Sequence, residues 1–150
     1  MRRAGLLILL VAAAVGMAAC GGDDDDSATE ATTTTKAAAP VCDVVGDSDT
    51  TPTSDLDVTL AEWSIEHEGD SASAGIVNLV VHNEGNVEHE IAIENGAGKL
   101  IGEIEPFASG STCEGAFELA AGSYTLLCEI VDEDGMSHAE HGMKAQLTVK

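Results

Sequence analysis

The chain has 150 residues, with 27 acidic side chains against six basic ones and a formal net charge of −21. Nucleic acid is excluded as a ligand, because phosphate backbones are held by Lys and Arg. Anionic lipid headgroups repel such a surface as well, so any membrane attachment has to come from something other than charge.

Residues 1–19 read as a secretory signal. Arg2 and Arg3 precede an apolar run, and small residues lead up to Cys20. The run is too short and wrongly flanked for a membrane span. The ending Met17, Ala18, Ala19, Cys20 resembles the lipobox of bacterial lipoproteins, whose Cys receives a lipid and becomes the first residue of the mature chain. That resemblance implies lipidation of Cys20, secretion, and anchoring to the cell membrane on its extracytoplasmic face. Loss of the two Arg leaves Lys36, Lys99, Lys144 and Lys150 against 27 acids, which takes the net charge from −21 to −23. Such a field steers the chain towards a basic partner, with strong salt dependence.

Residues 20–55 read as an acidic, Thr-rich linker. "GGDDDDSATEATTTTKAAAP" holds no large apolar residue, so it buries too little surface to offset the entropy of ordering. The like charges of Asp23 to Asp26 extend it. Residues 56–150 then form one small domain, long enough for one core and too short for two.

Helical periodicity is weak throughout this domain, and strand signals recur between turn residues. "LDVTLAEWSI" places Leu56, Val58 and Leu60 on one parity and Trp63 and Ile65 on the other. "GIVNLVVH" is a near-continuous apolar run, expected to be buried on both faces. After the turn "NEGN", "VEHEIAIE" puts Val87, His89, Ile91 and Ile93 on one parity and Glu88, Glu90 and Glu94 on the other. "NGAG" is a hairpin-type turn. "KLIGEI", "STCEGAFEL", "SYTLLCEI" and "KAQLTV" complete the set. About seven or eight short strands predict an all-β sandwich or barrel.

One stretch carries chemistry. "YTLLCEIVDEDGMSHAEHGMKAQLTV" places Cys128, Met136, His138, His141 and Met143 in a short span, and His89 stands earlier in its own strand. Thiolate and thioether are soft donors and imidazole is borderline. This set suits an electron-transfer copper site and not an all-oxygen calcium or magnesium site. His67 lies in a polar turn and His82 ends a strand, and both read as solvated. Singly, a strand Cys is usually a small buried apolar side chain, and loop His residues are usually solvated. Jointly they point to metal.

The domain resembles the cupredoxins, the blue copper family that includes plastocyanin. Their first His follows a turn of the form Asn-x-Gly-x-x-x-His, matched by Asn83, Gly85 and His89. Their second cluster is a Cys ending a strand, then a His, then a Met before the last strand, matched by Cys128, His138 and Met143. The resemblance implies a Greek-key β-sandwich holding one copper ion at one end, with His89, Cys128, His138 and Met143 as ligands and His141 as the alternative to His138. It also implies that the exposed ring edge of His138 is the port for electrons.

The sequence departs from the simplest members in two places. Nine residues separate Cys128 from His138, a longer connection than in plastocyanin-like proteins. Glu90 follows His89, where many members carry a small polar residue that braces the Cys loop.

With Cys20 lipidated, three Cys remain, so in an oxidising compartment two can pair and one stays free. The residues alone leave the pairing open, Cys113–Cys128 included. The resemblance requires a free Cys128 and so implies a Cys42–Cys113 disulfide, which pins the end of the linker to the sandwich.

The expected function is that of a one-electron carrier whose redox partner, a cytochrome or oxidase, presents a basic docking patch. The alternative is a copper-handling chaperone, buffer or delivery factor that uses the same ligands. Catalysis is not expected. The His-x-His pairs of multicopper oxidases and the paired-Cys loop of a binuclear copper centre are missing, and no Ser has a recognisable His base.

Overall fold

A computed structural model describes residues 42–150. The signal, Cys20 and the expected linker as far as residue 41 lie outside the described residues. Nine strands follow in chain order: β1 (Val44–Val45), β2 (Ser54–Ala61), β3 (Ser64–His67), β4 (Gly75–Asn83), β5 (His89–Asn95), β6 (Leu100–Phe107), β7 (Thr112–Leu119), β8 (Gly122–Leu127) and β9 (Lys144–Val149).

They form two sheets. One has the order β1-β6-β5-β8-β9, the other β3-β2-β4-β7. All pairs are antiparallel except β2 with β4. The chain changes sheet between β1 and β2, β4 and β5, β6 and β7, and β7 and β8, which makes a Greek-key β-sandwich.

The core lies between the sheets and is built by the period-2 alternation of the strands. Leu56, Val58 and Leu60 of β2, with Val77, Leu79 and Val81 of β4, face Ile91 and Ile93 of β5 and Leu126 of β8 within one buried cluster. Fully burying a Leu or Ile contributes about 2 kcal/mol. Phe117 is the largest side chain fully inside. Gly102 and Gly115 leave room for it, since a Cβ at either lies 2.6 to 3.0 Å from its ring.

Four expectations are corrected here. "LDVTLAEWSI" is two strands: β2 and β3 pair as a hairpin whose turn is Glu62 and Trp63, joined by a cis peptide bond. The switch of apolar parity between Leu60 and Trp63 marks that turn. β4 is fully buried on one face only, with Ile76, Asn78, Val80 and His82 half-buried on the other. Its neighbours β2 and β7 supply the pairing, but no second layer of the described residues covers its outer face. Val87 is not in β5 and is 46% exposed, because β5 begins at His89.

The last correction concerns the domain boundary. Residues 42–55, expected as linker, pack on the sandwich. β1 pairs with β6, the Ala116 amide donates to Asp47 Oδ1 at 2.7 Å, and a disulfide joins Cys42 to Cys113. The two-residue strand was too short to show a period. It and the split of β2 from β3 raise the strand number above the seven or eight expected.

Strand register places the site. Ala92 of β5 pairs with Leu127 of β8, and Leu127 pairs with Lys144 of β9. His89 at the start of β5 and Cys128 after the end of β8 therefore come to the same edge of the five-stranded sheet, and the 128–143 loop closes over it. Ala139 of that loop packs with Ala92 and Leu127 in a small cluster that seats it.

A candidate metal centre between two loops

The first loop follows β4. Asn83 is buried, and its side chain ties the loop together. Its Nδ2 donates to the carbonyls of Val87 at 3.0 Å and Phe107 at 3.1 Å, and its Oδ1 accepts from the Gly85 amide at 3.0 Å. Such a self-bonded Asn is a turn built from its own side chain. Gly85 is required by space: a Cβ there lies 2.6 Å from His89 Nε2 and 2.7 Å from Glu62 Oε1. The motif Asn-x-Gly-x-x-x-His thus has a physical content. The Asn clamps the loop and the Gly clears the ring.

Glu62, from the β2–β3 turn, holds the same loop from outside. Its carboxylate accepts from the backbone amides of Asn86 and Val87 and from Asn86 Nδ2. These bonds, led by the Asn86 amide, pull its pKa from 4.5 to about 2.

The second loop runs from Cys128 to Met143. The Cys128 amide donates to the Met143 carbonyl at 3.3 Å, and the Met143 amide to the His138 carbonyl at 2.9 Å. The His138 amide donates to Ile130 O at 2.8 Å, and the Ala139 amide to Cys128 O at 2.8 Å. Between these anchors the longer connection makes a small hairpin of its own, with Val131 bridging Ser137 and the Asp132 amide bonded to Met136 O. Gly135 turns it with a φ of +84°. The extra length leaves the sandwich as a protrusion, while Ile130 and His138 stay together at its base. Ser137 and Glu140 then cap the single turn that carries His138. The Ser137 amide donates to Glu140 Oε2 at 2.8 Å, and the Glu140 amide to Ser137 Oγ at 3.2 Å, the reciprocal bonds of a capping box.

These loops bring His89, Cys128 and His138 together, all three buried. His89 Nδ1 and Cys128 Sγ each lie 3.2 Å from His138 Nδ1. Met143 is fully buried beside them, tied through its backbone to both Cys128 and His138. His141 lies apart, its Nε2 at 3.6 Å from Asp132 Oδ2 and 3.4 Å from Asp134 Oδ2. Met136 is exposed on the protruding hairpin. His67 contacts the Gln146 carbonyl and His82 contacts Thr112 and Asp57, both away from this cluster.

The donor set fits copper. Two imidazole Nδ1 atoms and a thiol sulfur face one another in a closed, apolar setting, with no charged group among them, and a thioether residue lies alongside. Burial pushes the Cys128 thiol up and the His89 imidazolium down, the latter helped by repulsion from His138. His89 Nε2 has no hydrogen-bond partner, and Glu62 stands 3.6 Å away, too far for one. Burial outweighs the attraction of Glu62 and disfavours the charged ring. His138 Nε2 lies closer to its carboxylate, 3.3 Å from Asp132 Oδ1. Each imidazole thus turns Nδ1 inward, and the outer nitrogen of His138 meets the Asp132 carboxylate, the arrangement that orients metal-binding imidazoles.

Two expectations change. His138 is only 1% exposed, so its ring edge is no open port. The indole of Trp63 covers it, edge to face, with ring centroids 4.7 Å apart. Trp63 was invisible as a site residue in the sequence, where it reads as one parity of a strand; the switch of parity beside it was the usable signal. Glu90 braces the Cys loop after all, since its Oε1 accepts from the Glu129 amide at 2.7 Å.

No family model matches the sequence, and no curated protein matches it. Solved structures do match it. Auracyanin B superposes with a TM-score of 0.55 at 18% identity, over 69% of this chain and 94% of that one. Reduced auracyanin from the photosynthetic bacterium Roseiflexus castenholzii gives 0.50 at 17% identity, over 67% of this chain and 99% of that one. A purple cupredoxin from Nitrosopumilus maritimus follows at 0.43 and 16% identity, over 65% and 99%. The first two likenesses and the sheet topology give residues 42–150 a cupredoxin-like fold, a Greek-key β-sandwich.

Proposed function

We propose that the chain is a lipid-anchored type 1 copper protein that carries one electron at a time. The observation that carries this reading is the convergence of His89 Nδ1, His138 Nδ1 and Cys128 Sγ on one buried point, with Met143 beside it. His89, His138 and Cys128 would hold the ion and Met143 would supply a weaker thioether donor. Copper bound there supplies the Cu(I)/Cu(II) couple.

The chain's own contribution is rigidity and dryness. His89 is fixed at the start of β5, Cys128 directly after the end of β8 and Met143 directly before the start of β9, so their positions follow the sheet and change little with charge at the site. Burial excludes water, and Asp132, within hydrogen-bond reach of His138 Nε2, orients that ring. The reading extends to partners and place. A lipid on Cys20 tethers the chain to the extracytoplasmic membrane face, and the acidic surface guides a redox partner, a cytochrome or oxidase with a basic patch.

One observation favours a copper-handling role instead. Met136 is exposed and His141 partly so, on the loop that closes the site, where they offer further donors to a transferring ion. Voltammetry and chelator competition separate the two. The electron-carrier reading expects a reversible one-electron wave and Cu(I) retained against bicinchoninate. Rapid loss of Cu(I) to the chelator, or the lack of a reversible wave, contradicts it.

A further inference from the structure

We infer that Trp63 is the port through which this centre exchanges electrons. The inference rests on the copper reading above. All four residues assigned to the ion are buried, His138 being the most exposed at 1%. An external partner therefore touches none of them. Trp63 is 37% exposed and meets the His138 ring at a centroid distance of 4.7 Å and an interplanar angle of 67°. It is the exposed aromatic ring in direct contact with an assigned ligand, and it reaches from the ligand to solvent in one side chain.

The turn that carries it is fixed at both ends of the site. Glu62, the residue before it, is bonded to the loop that leads to His89. The indole also meets the ring of His141, stacked at 4.8 Å and 29° on the loop that carries His138. Trp63 is thus held against both loops, and its position is set by the same contacts that set the ligands.

The competing exit is Asp132, 3.3 Å from His138 Nε2 and also partly exposed. Its partly exposed carboxyl group is hydrated, and a partner has to strip that water before contact. An indole presents an apolar body that a partner can touch directly. Electronic coupling decays steeply with the gap between donor and acceptor, so the route with continuous ring contact dominates. The transfer is simple to balance: one electron passes between the reduced centre and a one-electron acceptor, Trp63 is not itself oxidised, and no bond or proton changes hands.

A merely protective Trp63 gives the opposite expectation, since any side chain of similar bulk would do. The test uses the copper-loaded full chain and its Trp63→Leu and Trp63→Phe variants, with tris(phenanthroline)cobalt(III) as a cationic one-electron oxidant in stopped flow. Midpoint potential and the visible spectrum are recorded for each. Trp63→Leu leaves a smaller apolar side chain in place and removes the ring, and we expect it to slow oxidation severalfold at unchanged potential and spectrum, with Trp63→Phe in between. Equal or faster oxidation by Trp63→Leu overturns the proposal. A second readout needs no electron transfer. The chain has a single Trp, and Cu(II) added to the metal-free chain should quench its emission strongly. Unquenched emission from a chain that shows a thiolate-to-copper band overturns the contact itself. A wild-type chain with no such band instead sinks the copper reading and this inference together.

Discussion

Gly85 stands where any side chain would strike His89: a Cβ at this position lies 2.6 Å from Nε2 of the ring and 2.9 Å from its Cδ2. The ring is packed against backbone that Asn83 and Glu62 hold rigid, so it has nowhere to retreat. Gly85→Ala is expected to turn His89 away from Cys128 and His138. Copper affinity should fall on the order of ten- to a hundredfold, the usual scale for disturbing the surroundings of a ligand. Competition with a calibrated chelator measures it, and an unchanged affinity would show that His89 is not held by this loop.

Asn83 bonds three backbone groups from the loop and from Phe107 while buried itself. Asn83→Ala leaves those groups without partners. Loss of this network is expected to cost about 3 kcal/mol, since each buried orphan costs about 1–3. Chemical denaturation of the metal-free protein reads this cost apart from any effect on copper.

The disulfide between Cys42 and Cys113 spans 71 positions of sequence and pins β1 to β7. Removing it releases a large loop in the unfolded chain, with an expected loss of about 3 kcal/mol. Cys42→Ser should lower the unfolding midpoint while leaving the copper spectrum intact, because Cys128 is the free thiol of the described residues. A changed spectrum would mean that Cys113, once released, competes with Cys128.

Glu103 lies on the outer face of the five-stranded sheet. Its carboxyl is pushed above 4.5, first by partial burial and then by Glu105, Glu90 and Glu129. A carboxyl raised in the fold opposes folding when ionised. That penalty is absent below the unfolded value and complete above the folded one, so this group's contribution lowers stability as pH rises through and beyond 4.5. Glu103→Gln is therefore expected to raise the melting temperature near neutrality and to leave it unchanged below about pH 4. An equal effect at both pH values would assign the change to packing.

Much of this arrangement is written locally. The alternation Val77, Leu79, Val81 and the turn at Asn95 to Gly98 specify strands and a hairpin within a few residues. The spacings from Asn83 to His89 and from His138 to Met143 belong to single loops, so the sequence carries them intact. What stayed hidden is non-local. Pairing of Val44 with Ile104 depends on a partner 60 positions away and on a disulfide. The placement of Trp63 over His138 needs the β2–β3 hairpin to fold back towards a loop 75 residues later. The burial of His138 owes part to that contact, which its neighbours in sequence do not show. Glu90 shows a third kind of miss. It stands where many cupredoxins carry a small polar residue, yet its longer side chain reaches the Glu129 amide from the same position.

The measurement that bears most directly on the account is the visible absorption spectrum of the purified chain titrated with Cu(II), beside Cys128→Ser. Convergence of Cys128 Sγ with the Nδ1 atoms of His89 and His138 predicts an intense thiolate-to-copper band that saturates at one ion per chain and vanishes in the variant. Copper uptake without the band, or a band that survives in Cys128→Ser, would contradict it.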